Sequence, residues 1–241
     1  MKKLCAVLSL VGMVATPSLF ASYDGTMSLS QGPYSYGNGG EFTAVTTGLG
    51  TFQTFCIEYN EEFVPGNSYN YNMNSGAVAG GSGTDATDPH TGLPMDNISR
   101  GTAWLYSQFR AGTLTLDTGV GTYFNANRQL NAGELQQAIW FLEDEVGGVN
   151  NGYVTLVENK LGETLAQVKL DSDGAYGVIA LNLFNGPAAT QVTKNGVTYN
   201  LNQDQLAIVP EPATVIAGAL LLLPLGASTV RILRRNRKSS L

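Results

Sequence analysis

Eighteen consecutive residues near the C-terminus, 213–230, carry no charge, and Arg231, Arg234, Arg235, Arg237 and Lys238 follow at once. A run of that length falls within the ~17–25 residues a helix needs to cross the hydrocarbon of a bilayer. Basic residues beside a span stay cytoplasmic, which puts everything before Ala213 outside. The other end is equally constrained. Lys2 and Lys3, an apolar run over 4–14, Pro17 and the small residues Ala21 and Ser22 read as a secretory signal peptide over 1–22. With 1–22 and 210–241 set aside from the 241 residues, the folding unit is 23–209, a body of 187 residues.

Seven of the 13 Lys and Arg lie in those terminal segments, but only Glu211 of the 19 Asp and Glu does. The body therefore holds six basic and 18 acidic residues, a net charge of −12. Such a surface stays soluble and repels polyanions, so nucleic acid is excluded as a partner. The whole chain is 43% hydrophobic and 13% charged, which argues for a packed core and against disorder. One His and two distant Cys rule out a zinc finger and the usual protein-only metal sites, and no motif calls for a cofactor. Asp171-x-Asp173-Gly174 lacks the remaining ligands of a calcium loop and reads as a turn.

Cys5 leaves with the signal peptide, so Cys56 is the single cysteine of the exported body, and no intramolecular disulfide can form. A lone cysteine in an oxidising compartment implies intermolecular pairing, a reactive thiol or a thiol capped by other chemistry. The plainer alternative is a small buried hydrophobe.

Residues 23–29, 41–46 and 51–63 alternate polar with apolar or β-branched residues between Gly- and Pro-rich punctuation, the pattern of short antiparallel strands. A loop is expected over 74–97, containing His90. Helices are expected over 98–112 and over 131–146, the second capped by Asn131 with Glu134 three residues on. A third is expected within 153–169, weakened by Gly162. A buried strand follows at 178–184, and Asn195-Gly196 turns a hairpin into 197–209. The fold class is α+β: an antiparallel β-sandwich or barrel with an inserted helical subdomain.

Before the apolar run stand Pro210, Glu211 and Pro212. Pro-Glu-Pro, apolar helix, basic cluster and chain end, in that order, strongly resemble the PEP-CTERM sorting signal over 209–241. The resemblance implies a membrane-embedded exosortase as processing partner. It also implies membrane anchoring with the body outside, followed by release or transfer to the cell surface or extracellular matrix.

A second resemblance rests on two separated segments. Phe55-Cys56-Ile57-Glu58 on a strand and Leu135-Gln136-Gln137-Ala138-Ile139-Trp140 on a helix, 80 positions on, are together similar to bacterial surface thioester domains. Trp104-Leu105 on the first helix fits the same pattern, over roughly 40–185. Leu135 stands where many relatives have Thr, and the sorting signal differs from their usual wall anchor. The resemblance implies a bond between the Cys56 sulfur and a glutamine side-chain carbonyl. Helix geometry distinguishes the two glutamines: Leu135, Ala138, Ile139, Leu142 and Val146 form the buried stripe, Gln136 falls at its edge beside Trp140, and Gln137 falls on the opposite, solvent face.

The chemistry follows from those residue types. A thiol held against a carboxamide acts at an effective concentration of about 10⁵–10⁸ M, so Cys56 can displace ammonia from Gln136 and store an acyl group. Glu58 and Glu134 are the acids within sequence reach of the departing ammonia; a surface residue and a helix cap are their plainer readings. Phe55, Ile57 and Trp140 offer an apolar collar against water, or simply core packing. A partner amine on a surface protein, or a hydroxyl on a polysaccharide, would open the thioester once and become covalently attached. This is adhesion or matrix crosslinking, not enzymatic turnover. Two alternatives stand beside it: a structural surface or biofilm-matrix protein with an unreactive buried Cys56, and an exported hydrolase using His90.

Overall fold

The computed structural model of the protein describes residues 22–37, 39–79, 85–116, 121–148 and 151–209. The expected signal peptide over 1–22, apart from its last residue, and the expected sorting signal over 210–241 lie outside the described residues. Among the described residues no helix is long and apolar enough to cross a membrane.

The body is mostly antiparallel sheet with a few helices, an α+β arrangement. Its strands begin with β1 (Gly25–Tyr36), β2 (Gly39–Thr46), β3 (Gly50–Thr54) and β4 (Asn67–Asn74). Three short strands follow, β5 (Gly76–Val78), β6 (Ala86–Thr87) and β7 (Pro94–Asn97). The helical stretch comprises α1 (Arg100–Ala111), the small hairpin β8 (Thr115–Leu116) and β9 (Gly121–Thr122), then α2 (Arg128–Leu142), α3 (Gly152–Leu161) and α4 (Leu165–Val168). The chain then returns to sheet with β10 (Val178–Phe184), β11 (Thr190–Lys194) and β12 (Val197–Ile208).

The main sheet runs β11-β12-β10-β4-β1-β2-β3. Its far end does not stay open. Where β3 stops pairing with β2 at Thr54, the chain continues and pairs with the free edge of β12 instead. Ile57 N–H donates to Asp204 O at 3.1 Å and Leu206 N–H to Phe55 O at 3.1 Å, either side of a Cys56–Gln205 bridge. These bonds join the edges of six strands into a ring and remove an exposed strand edge, with β11 as an outer extension of β12. The expected strand over 51–63 is therefore shorter and changes partner midway.

Strand alternation sorts side chains between two cores. One cluster on the helix side includes Phe55, Ile57, Ala180 and Leu206, packed with Ile98, Leu105, Phe109, Leu135, Ile139 and Val157 from the helical stretch. The neighbouring residues Cys56, Leu181 and Ala207 belong to a second cluster with Met27, Leu29, Phe42 and Tyr69. Each CH₂ moved out of water into these clusters contributes about 0.8 kcal/mol.

The helices differ from expectation at their ends. Ser99 caps α1 by accepting from Thr102 N–H, and Gly112 ends it in the left-handed region at φ 73°. α2 starts three residues earlier than expected, at Arg128, so Asn131 and Glu134 lie inside it and not at a cap. Asn131 is buried and donates from Nδ2 to Tyr123 O at 2.8 Å, a tertiary bond that replaces the expected capping role. Gly162 (φ 67°) terminates α3 and separates it from α4. The stretch 74–97 is not all loop: β5, β6 and β7 pair in a second sheet, ordered by the buried Asp88 carboxylate, which accepts from Asn74 Nδ2 and the N–H groups of His90 and Thr91. Asn195 and Gly196, both at positive φ, turn the expected hairpin between β11 and β12.

Candidate functional site

The Cys56–Gln205 bridge is flanked by bonds from the residues before and after, so these two side chains face each other as a non-hydrogen-bonded pair. In that arrangement the Cys56 N–H and C=O point away from β12, toward the edge that β2 has just left. Buried backbone groups need partners. The Gln136 carboxamide supplies both. Cys56 N–H donates to Gln136 Oε1 at 3.1 Å, and Gln136 Nε2 donates to Cys56 O at 2.8 Å. A side chain 80 residues away thus takes the place of a neighbouring strand.

Both residues are enclosed, Cys56 at 0% and Gln136 at 1% exposure, and Cys56 is a free thiol. Gln137 is exposed, so helix phase separated the two glutamines as the spacing indicated. Burial pushes the Cys56 thiol far above its ordinary pKa, with the Gln205 hydrogen bond pulling the other way and the Glu58 charge adding to the rise. That bond runs from Gln205 Nε2 to Cys56 Sγ at 3.5 Å.

The helix is aimed by its first turn. Arg128 reaches the fully buried Glu41 of β2 through Nε at 2.8 Å and an NH2 group at 2.7 Å, while Tyr123 Oη donates to the same carboxylate at 2.7 Å. Arg128 also lies over the Tyr34 ring at 4.2 Å from its centroid. Two turns on, Gln136 meets Cys56. One further turn on, Trp140 Nε1 donates to Glu58 O at 2.9 Å. Gly39 makes the close approach possible: a Cβ there would stand 2.6 Å from Gln136 Cγ and 3.0 Å from Trp140 Cη2.

The residues singled out around Cys56 separate by face. Phe55 and Ile57 pack into the helix-side core, Phe55 edge-on to Phe109 at 5.0 Å, whereas Cys56 and Trp140 share the other cluster. Glu58 is fully buried, not a surface residue, and its Oε2 accepts from Asp204 N–H at 2.9 Å. Burial, with the Asp204 and Glu61 charges, raises the Glu58 pKa well above the carboxylate range. Glu134 is partly exposed and its carbonyl accepts from Asn151. His90 is exposed on the turn after β6, whereas Cys56 is sealed.

Sequence reasoning missed a second polar layer. Asn202, Gln203, Asp204 and Gln205, four successive residues of β12, are all buried. Asp204 sits where the β10–β12 register slips between Leu181 and Leu183, and accepts from Leu183 N–H at 2.9 Å, Val78 N–H at 2.8 Å and Asn182 Nδ2 at 2.6 Å. Gln203 Nε2 donates to Glu58 O at 2.6 Å. The signal was available: four polar residues in a row inside an otherwise apolar strand ending cannot alternate in and out of a core without partners.

Beside this layer lies an open cleft of about 560 Å³, walled by Tyr59, Glu61, Glu62, Phe63, Trp140 and Gln203 among others. Among the described residues no group of three or more His, Cys, Asp or Glu is placed to hold a metal ion. Comparison with known proteins finds no matching family model, no matching curated protein and no matching solved structure.

Proposed function

We propose that the chain is an exported cell-surface protein in which Cys56 and Gln136 become joined as an internal thioester, making it a covalent adhesin or matrix-crosslinking protein. The observation that carries this reading is the Gln136 carboxamide lying along the Cys56 backbone, bonded at both its oxygen and its nitrogen. In the reaction, Sγ attacks Gln136 Cδ, the S–C bond forms, the C–N bond breaks, and the thiol proton leaves with the nitrogen as ammonia. Charge developing on Oε1 faces the Cys56 N–H, an oxyanion donor already in place. The raised thiol pKa favours transfer of that proton within the site over prior ionisation. Later attack by a partner amine, or by a hydroxyl, forms an amide or ester to Gln136 and returns the sulfur to Cys56, where Gln205 Nε2 is the donor that receives it. Pro210, Glu211, Pro212 and the apolar and basic segments behind them would hold the protein in the membrane until an exosortase-type enzyme processes it.

A second reading draws on the same geometry. The Gln136 amide is satisfied by Cys56 backbone groups and the thiol is sealed from solvent, which would also suit a structural matrix protein whose cysteine never reacts. Intact mass of the purified exported body separates the two. The thioester reading expects a mass lower by one ammonia, and a thiol that resists alkylation after unfolding until an amine is added. Full sequence mass with a thiol alkylated at once on unfolding overturns it. Cys56→Ala and Gln136→Ala should each abolish the mass deficit.

A further inference from the structure

The cleft beside Trp140 is lined by a carboxylate with one unpartnered oxygen. Glu61 is 91% buried and lines the cleft, and its Oε2 makes no hydrogen bond. An unpaired buried oxygen is costly, and a cation is the natural group to satisfy it. The walls suit a cation carried on an aliphatic stem: Tyr59, Phe63 and Trp140 supply aromatic surface for the stem, and Glu62 adds a second carboxylate at the rim. Tyr59 stands edge-on to Trp140 at 5.0 Å, and its N–H is held by Glu145 Oε2 at 2.9 Å, so this wall is braced. The cleft also joins the two segments of the site. Tyr59 and Glu61 follow Cys56 within five residues, and Trp140 lies one helical turn beyond Gln136.

We infer that this cleft is the subsite for a primary ammonium on an alkyl stem, a lysine side chain of the partner, with Glu61 as the residue that receives it. The inference rests on the thioester reading for its chemistry but not for its binding. Glu61 takes one proton from the ammonium; the free amine forms an N–C bond at Gln136 Cδ; the C–S bond breaks; and the second nitrogen proton goes to the sulfur. One amide, one thiol and one neutral carboxyl result. Burial and the charges of Asp204 and Glu145 lift the Glu61 pKa to about 8, a strain that a docked cation relieves, and a value suited to accepting that proton near neutrality.

The test uses the full chain in detergent at mildly alkaline pH, with cadaverine as the probe and hydroxylamine as a small nucleophile that needs no ammonium pocket. Glu61→Gln should keep the one-ammonia mass deficit and its hydroxylamine rate, yet lose about tenfold in the rate of cadaverine adduct formation, the worth of one charge-assisted hydrogen bond. An unchanged cadaverine rate overturns the subsite. Should Glu61→Gln fail to fold, the wild-type chain decides: a trimethylalkylammonium of the same stem length must slow the cadaverine reaction but not the hydroxylamine reaction, and equal rates refute the proposal. If the wild type shows full mass, the thioester reading has failed by itself. The cleft is then judged on Cys56→Ala, where cadaverine must change tryptophan fluorescence saturably and Glu61→Gln must abolish the change; no saturable change refutes the subsite.

Discussion

Gln136 serves a backbone before it serves any reaction. Removing its side chain leaves the Cys56 N–H and C=O buried without partners, each costing about 1–3 kcal/mol. Gln136→Ala should therefore destabilise the body, compared with the chain that keeps its Gln136 amide, by about 2–6 kcal/mol in denaturant unfolding; a loss below about 1 kcal/mol would show that the pairing carries no weight. Gly39 is the other side of this fit. Gly39→Ala places a methyl 2.6 Å from Gln136 Cγ, and overpacking of this kind costs about 1–3 kcal/mol. Under the proposed thioester chemistry its effect should also appear as slower development of the mass deficit, because the displaced atom belongs to the acyl side chain. Helix phase made Gln136 distinguishable from Gln137 in the sequence. The partner of its carboxamide was not, since nothing local says that Cys56 loses its β2 neighbour one residue after Thr54.

The α2 helix is placed by charge at one end and by packing along its length. Arg128 pairs with the buried Glu41 through two nitrogens, and that pair locates the first turn against β2. Arg128→Met keeps length and packing against Tyr34 but leaves Glu41 buried with only Tyr123 to serve it. The expected cost is about 3–5 kcal/mol by thermal or denaturant unfolding, the penalty of breaking a buried ion pair from one side. A cost near zero would mean that α2 is held by its apolar stripe alone. The existence of α1 and α2 was readable from their apolar spacing. Their starts were not: Asn131 resembles a cap in sequence, yet tertiary burial draws it into the helix and Asn127 takes the boundary.

Across the molecule, several carboxyls are buried at once. Burial first, together with neighbouring charge, lifts Glu61 to about 8 and raises Glu58 as well, and burial outweighs the hydrogen bonds that pull the other way to lift Asp204 and Glu143 to about 7. A carboxyl whose pKa is higher in the folded state binds its proton more tightly there than in the unfolded chain. Its stabilising contribution is complete below the ordinary carboxylate value of about 4 and is lost as pH rises through the folded values. The melting temperature should fall steadily between about pH 5 and pH 8 and level off above; a rise over that interval would contradict the buried-acid account.

Composition and local pattern settled much of this protein: terminal segments unlike the body, a net acidic body over 23–209, alternating strands around amphipathic helices, and a glutamine at the margin of a buried stripe. These depend on short-range periodicity and on counting, both of which a linear chain displays directly. The closure of β3 onto β12, the pairing of Cys56 with Gln136 and Gln205, and the burial of four polar residues in β12 depend on groups 80 to 149 residues apart finding one another. No periodicity encodes such meetings. They follow from the demand that every polar group taken out of water by the ring and its helices find a partner inside it.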